Sequence, residues 1–159
     1  MGGKGFKMVR CVSCGKSALA DTRQEQDLTV AGHTFTSTLP AQRCRSCGEI
    51  YFSASSLEAF ELQVAASLAK AGERSGSALK FMRKASDLRA NELAELLDLA
   101  PETIYRWESG KLSIERRALA LLASMVLEKS EGRTNTLDEL RVLRKPKRLP
   151  RRLRLKVAV

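Results

Sequence analysis

The sequence predicts an α+β chain, in which a small N-terminal metal-binding β-hairpin domain is followed by an all-α domain built around a helix-turn-helix. Three observations carry this. All four cysteines lie in residues 1–52 and none in residues 77–130. They form two copies of one pattern, Cys11-Val-Ser-Cys14-Gly15 and Cys44-Arg-Ser-Cys47-Gly48, with β-rich residues between them. From Leu88 to Lys111, apolar and small residues recur at helical spacing and are interrupted once, before Pro101. A length of 159 residues allows one medium domain or two small ones, and this shift in composition favours two.

The formal charge of +10 is uneven. Basic against acidic residues number 7 to 4 in residues 1–52, 2 to 3 in 53–76, 9 to 8 in 77–130 and 10 to 3 in 131–159, so most of the excess is in the tail. No apolar run approaches the roughly 20 residues that span a bilayer, and no signal-peptide pattern precedes the first cysteine pair. The expectation is a soluble, cytoplasmic protein with no membrane partner. Residues 1–8 read as a disordered start or tag remnant, with three glycines and two lysines up to Lys7.

In each CxxCG knuckle two thiolates can chelate one metal from a tight turn, and the following glycine supplies a positive φ. Two knuckles, separated by 29 residues, make a four-sulfur tetrahedral site of Cys11, Cys14, Cys44 and Cys47. Ligand softness and geometry favour one structural Zn(II) per chain over iron. Three readings compete: a redox CxxC pair, disulfides, and four unrelated buried thiols. A redox fold needs one pair rather than two matched ones, disulfides suit oxidising compartments, and unrelated thiols have no reason to repeat CxSCG. With all four positions filled by cysteine, no site is left open for catalysis by the metal.

Between the knuckles, Leu28–Val30 and Thr34–Thr38 read as strands joined by a turn at Ala31-Gly32-His33. His33, the only histidine, could be a spare ligand but reads as a turn residue. Ile50–Phe52 reads as a last strand over the site. Ser55 or Ser56 can cap a helix from Leu57 to about Lys70, which completes a zinc-binding domain over residues 9–70. The stretch 71–77, AGERSGS, reads as a flexible linker.

Residues 78–130 form the helical domain. Ala78 to Ala85 is a helix with Leu79 and Met82 inward and Lys80, Arg83 and Lys84 outward. Leu88, Leu93, Ala94, Leu96 and Leu97 share one face of the next helix, and Asp98 to Ala100 is the turn. Pro101 opens the second helix of the motif, Glu102 complements its dipole, Ile104 and Trp107 point inward, and Gly110 ends it. Glu102, Thr103, Tyr105 and Arg106 remain outward, a set able to meet base edges and phosphates, with Arg89 and Lys111 at the margins. The plainer reading is two ordinary packed helices. Ile114 to Leu127 supplies a further apolar helix.

This helical arrangement resembles the lambda-repressor-like (Xre or Cro/C1 type) DNA-binding domain. The matching pattern is LxxxELAxxL…TIxRWExGK, carried by Leu88, Glu92, Leu93, Ala94, Leu97, Thr103, Ile104, Arg106, Trp107, Glu108, Gly110 and Lys111. It departs at Ala90, where that family usually has a Gln against the DNA backbone. The order of paired knuckles, connecting helix and helix-turn-helix, over roughly residues 9–127, resembles the MqsA family of antitoxins, whose zinc half is also called the YgiT-type zinc finger. The resemblance implies a transcriptional autorepressor that neutralises an mRNA-cleaving toxin. It also implies a zinc half that contacts the toxin and a helical half that forms the dimer. Arg106 matches the family's base-reading Arg, and Glu102 falls where the family has a base-reading Asn. Glu accepts from cytosine N4 but makes no bidentate adenine contact, so a different operator is implied.

Residues 131–159 form a basic extension. Thr136 can cap a short helix, Leu137 to Leu143, and eight basic residues follow from Arg144 to Lys156 with no acid after Glu139. Three readings stand for this tail: a solubilising segment, an arm on DNA phosphates or a minor groove, or a membrane-surface segment. The expected function is a zinc-containing, sequence-specific repressor acting as the antitoxin of a type II pair. The alternative is a stand-alone regulator without a toxin. Expected partners are double-stranded DNA with a palindromic operator, a toxin, and a second copy of the chain, with Leu119, Leu122, Met125 and Val126 as candidates for part of the dimer face, several of which must also serve the domain core. An enzyme is not supported: there is no Ser-His-Asp set, phosphate loop or open metal site, and no catalytic residue is assigned.

Overall fold

The computed structural model describes residues 8–156. The expectation for the first seven residues therefore lies outside the described residues. The architecture is α+β: an antiparallel sheet of order β1-β2-β3, formed by β1 (Leu19–Val30), β2 (His33–Cys44) and β3 (Ile50–Phe52), precedes six helices. The helices are α1 (Ala54–Ala71), α2 (Gly76–Ala85), α3 (Ala90–Leu96), α4 (Pro101–Glu108), α5 (Arg116–Ser130) and α6 (Asn135–Arg144).

The hairpin is much longer than its apolar residues suggest. β1 and β2 pair without interruption from Leu19↔Cys44 to Val30↔His33. The turn is the two residues Ala31 and Gly32, with φ of 53° and 80°, the sense of twist that suits the flanking strands. His33 is therefore the first residue of β2 rather than part of the turn, and it is exposed, at the opposite end of the ladder from the cysteines. Polar cross-strand pairs extend the ribbon: Thr29 Oγ1 lies 2.9 Å from Thr34 Oγ1, and Thr36 Oγ1 donates to Asp27 Oδ1 at 2.5 Å. The covered face carries Leu28, Val30, Phe35 and Leu39, which join the helical core beside Phe60 and Val64 of α1.

Ser53 caps α1 instead of Ser55 or Ser56. It stands in extended conformation directly after β3, and its Oγ accepts from the Ser56 N–H at 3.1 Å. Gly72, at φ 67°, closes the helix. The connection to α2 is Gly72–Ser75, shorter than the 71–77 stretch read as flexible. It is pinned by Glu73, whose carboxylate accepts from the Ser75 N–H at 3.0 Å, and by Ser75, which caps α2. Gly76 then brings the start of α2 against the end of α4, where a Cβ would lie 2.4 Å from the Trp107 carbonyl oxygen and 2.5 Å from that of Glu108.

α5 packs against α1, α2 and α6, and the core between them holds Val64, Leu79, Met82, Leu93, Ile104, Leu122 and Val126. This places three of the proposed dimer-face residues, Leu122, Met125 and Val126, inside the monomer's core and leaves Leu119 half-buried. α5 must cover α1 and α2 with its apolar face before anything is left for a partner. α6 starts at Asn135, ahead of the expected Leu137. The Glu128 carboxylate of α5 takes both the N–H and the Oγ1 of Thr136 at 2.8 Å, and Leu137 and Leu140 pack on the core. No helix of the described residues is long and apolar enough to cross a membrane.

Candidate metal centre and nucleic-acid interface

The two knuckles adopt the same local geometry because they have the same sequence pattern. In the first, Gly15 N–H donates to the Cys11 carbonyl at 2.8 Å and Cys11 N–H to that of Lys16 at 2.9 Å. In the second, Gly48 N–H donates to the Cys44 carbonyl at 2.8 Å and Cys44 N–H to that of Glu49 at 2.8 Å. Gly15 and Gly48 have φ of 73° and 81°, a conformation costly for any residue with a Cβ. The ladder holds the second knuckle, since Cys44 is the last residue of β2, paired with Leu19.

The four sulfurs all lie within 4.8 Å of one another. Cys11 Sγ is 3.5 Å from Cys47 Sγ and Cys14 Sγ is 3.6 Å from Cys44 Sγ, so each contact crosses from one knuckle to the other. A disulfide needs about 2.05 Å, and the cysteines are free thiols. A tetrahedron with metal–sulfur bonds of about 2.3 Å has sulfur–sulfur edges of roughly 3.8 Å, so the donor set fits a four-sulfur metal ion. Cys11, Cys14, Cys44 and Cys47 are the residues that would hold it. Cys11 and Cys44 are buried, and Cys47 is exposed.

Tyr51 completes this end of the sheet. From β3 its hydroxyl lies 3.1 Å from Cys11 Sγ and 3.2 Å from Ser13 Oγ, and it accepts from the Ser13 N–H at 3.3 Å. The Tyr51 hydroxyl is the main reason why the Cys11 thiol is lowered to about 6. Cys44 is lowered chiefly by the Cys47 N–H. Cys47 behaves oppositely: although the Glu49 N–H favours its thiolate, the neighbouring sulfurs of Cys11, Cys44 and Cys14, together with burial, push it up to about 12. Four packed thiols resist ionising together, and a divalent cation is the charge that would let them do so. Ile50–Phe52 lies over the site as the pattern of residues predicts, but Tyr51 is a functional residue that the pattern does not single out. Its alternate position in a strand starting three residues after Cys47 is the available signal.

At the helical end, α3 and α4 pack as a helix-turn-helix, with Ile104 and Trp107 of α4 buried. Glu102, Tyr105 and Arg106 are exposed on α4, Lys111 is exposed just after it, and Thr103 is half-buried. Arg89 stands at the start of α3, where its guanidinium and backbone N–H both donate to Glu92, at 3.0 and 2.7 Å. These contacts hold the Glu92 carboxyl below the usual carboxylate range. Arginine has no acceptor to return, so this is half of a capping box.

Arg83 differs from its expected outward place. It is buried, with Nε donating to Glu108 Oε1 at 2.6 Å, Nη2 to Glu108 Oε2 at 3.3 Å and Nη1 to the Leu88 carbonyl at 2.6 Å. One guanidinium thus ties α2 to the end of α4 and to Leu88, two residues before α3. Helical spacing alone put Arg83 beside Lys80 and Lys84. The fork geometry of arginine, matched by a carboxylate and a carbonyl in the same hollow, takes it inside.

A comparison with individual curated proteins found no match. The family model described as the antitoxin component of the bacterial toxin–antitoxin system, MqsA, matches residues 9–141. That range takes in both knuckles, the long hairpin, the helix-turn-helix and most of α6. With its four-sulfur cluster at one end and its packed helices at the other, the chain belongs to the MqsA antitoxin family.

Proposed function

We propose that this antitoxin-family protein is a zinc-containing, sequence-specific DNA-binding repressor that autoregulates its operon and neutralises an mRNA-cleaving toxin. The observation that carries the DNA reading is α4: one face is buried through Ile104 and Trp107, while Glu102, Tyr105 and Arg106 stand free on the other. Glu102 and Arg106 are one helical turn apart, so both can enter one stretch of major groove. Arg106 is suited to the two acceptors of guanine and Glu102 to the amino group of cytosine, while Lys111 and Arg89 meet phosphates. Zinc at the four cysteines closes the sheet end, which serves as the docking half for the toxin. Residues 9–70 and 78–130 are the two functional units. A homodimer on a palindrome supplies the affinity that a single helix-turn-helix lacks.

The test is a binding titration against duplexes enriched from a random pool by the full chain. Arg106→Ala should cost roughly 1–3 kcal/mol on the enriched sequence and blunt discrimination at one base pair per half-site. Equal losses on enriched and scrambled duplexes would show that α4 does not read sequence. Elemental analysis should return one zinc per chain, and co-expression with the neighbouring reading frame should yield a complex.

A further inference from the structure

α6 and the basic segment after it form a feature that the family match only begins to cover, since the match stops at residue 141. α6 is docked rather than tethered. Thr136 binds Glu128, Leu137 and Leu140 pack against the core, half-buried, and Arg144 Nη1 lies 2.5 Å from Glu95 Oε2 of α3. Arg89, Glu92, Glu95, Arg141, Arg144 and Lys145 line a shared groove of about 580 Å³ between α3 and α6. The last turn of α6 therefore sits against the first helix of the helix-turn-helix, where Arg89 and Arg144 offset the acids Glu92 and Glu95.

Beyond that point the chain has a different character. Lys145, Lys147, Arg148, Arg151, Arg152, Arg154 and Lys156 follow with no acid among them. There is no helix or strand from Lys145 to Lys156, consistent with prolines at 146 and 150, and every residue in the stretch is exposed. The ion pairs of the described residues take up Arg141 and Arg144 but no basic residue from Lys145 to Lys156. At about 3.3 Å per residue, these 12 residues reach up to roughly 40 Å, more than one turn of duplex.

We infer that α6 is an anchor that launches the basic tail from the flank of α3 onto DNA phosphates outside the half-site read by α4. The arm adds a sequence-independent contact to the helix-turn-helix. This rests on the DNA-binding reading above. The launch point favours DNA over a lipid surface, because α6 fixes the start of the tail beside Arg89.

The test uses the full chain, a chain ending at Arg144, and the double variant Leu137→Ser with Leu140→Ser, which keeps every charge but frees α6. Binding to a random-sequence duplex is measured at several salt concentrations, with circular dichroism to confirm that the other helices persist. Each phosphate that the tail no longer neutralises should lower the slope of log affinity against log salt by about 0.9. If four of the seven cations land, truncation removes on the order of 100-fold of the affinity change between about 50 and about 200 mM salt. The freed-α6 variant should lose at least half of the tail's contribution. An unchanged slope after truncation overturns the inference. So does a freed-α6 variant that equals the full chain, or a truncation that spares duplex binding and abolishes binding to phosphatidylserine vesicles. Arg106→Ala in the full chain separates the two readings: sequence preference that survives this change, with the tail effect intact, removes the assignment of α4 and leaves the arm standing.

Discussion

The largest fully buried side chains divide unevenly between the two ends of the molecule. Val64, Leu79, Met82, Leu93, Ile104, Leu122 and Val126 come from the helices, and the two from the sheet end are Cys11 and Cys44. Val30 and Leu39 of the hairpin do meet α1, but they belong to the helical core; among the described residues the cysteine end, at the far end of the ladder from Val30, has no apolar cluster of its own. The helical end stays closed by removing hydrocarbon from water. The knuckle end has two glycine turns, one tyrosine hydroxyl and four sulfurs, an arrangement that should become stable when a cation joins the sulfurs. This contrast predicts folding that depends on a bound cation at one end and on apolar burial at the other.

The largest effect expected from this contrast is on the sheet end. Cys44→Ser, or chelation, removes a metal term on the order of 10–16 kcal/mol and should unfold the knuckles and the adjoining ladder while the helices still melt cooperatively. Next comes the buried ion pair of the helical end, Arg83 with Glu108. Arg83→Met leaves the Glu108 carboxylate, whose side chain is only 6% exposed, without its partner, and should cost about 3–5 kcal/mol by denaturant titration. Glu108→Leu added to it should restore much of that loss. Gly76→Ala forces a methyl onto two backbone carbonyls and should cost roughly 1–3 kcal/mol, with α2 and α4 displaced and metal content unchanged. Glu92→Gln is the mildest, a change of a few degrees at most in melting temperature. Because the Glu92 carboxyl is depressed in the folded state, its contribution is present above the ordinary carboxylate range and is lost as pH falls through the lowered value. Parent and variant should therefore converge in acid.

The same contrast explains what could be read from the residues alone. The metal site was legible because chelation demands fixed residue types at fixed spacing, and CxSCG occurs twice. The helix-turn-helix was legible because Leu93, Ala94, Ile104 and Trp107 follow the helical period, with Pro101 and Gly110 marking the ends of α4. The hairpin's true length was not, since Ala20 to Asp27 is held by ladder hydrogen bonds and polar pairs that leave no alternation in hydropathy. Arg83 was misplaced because the helical period reports a side chain's direction and not what waits for it there. Which of the α5 candidates serve the core was not legible either: Leu122, Met125 and Val126 show only that α5 has an apolar face, and α1 and α2 cover it, with Leu119 left half-buried.

Hydrogen exchange of the full-length protein, followed amide by amide with and without a zinc chelator, tests the contrast most directly. The amides of Cys11, Gly15, Cys44 and Gly48 should lose protection when the metal is withdrawn, while those of Leu93, Ile104 and Leu122 keep theirs. Protection that falls together at both ends, or knuckle amides indifferent to the chelator, would contradict it.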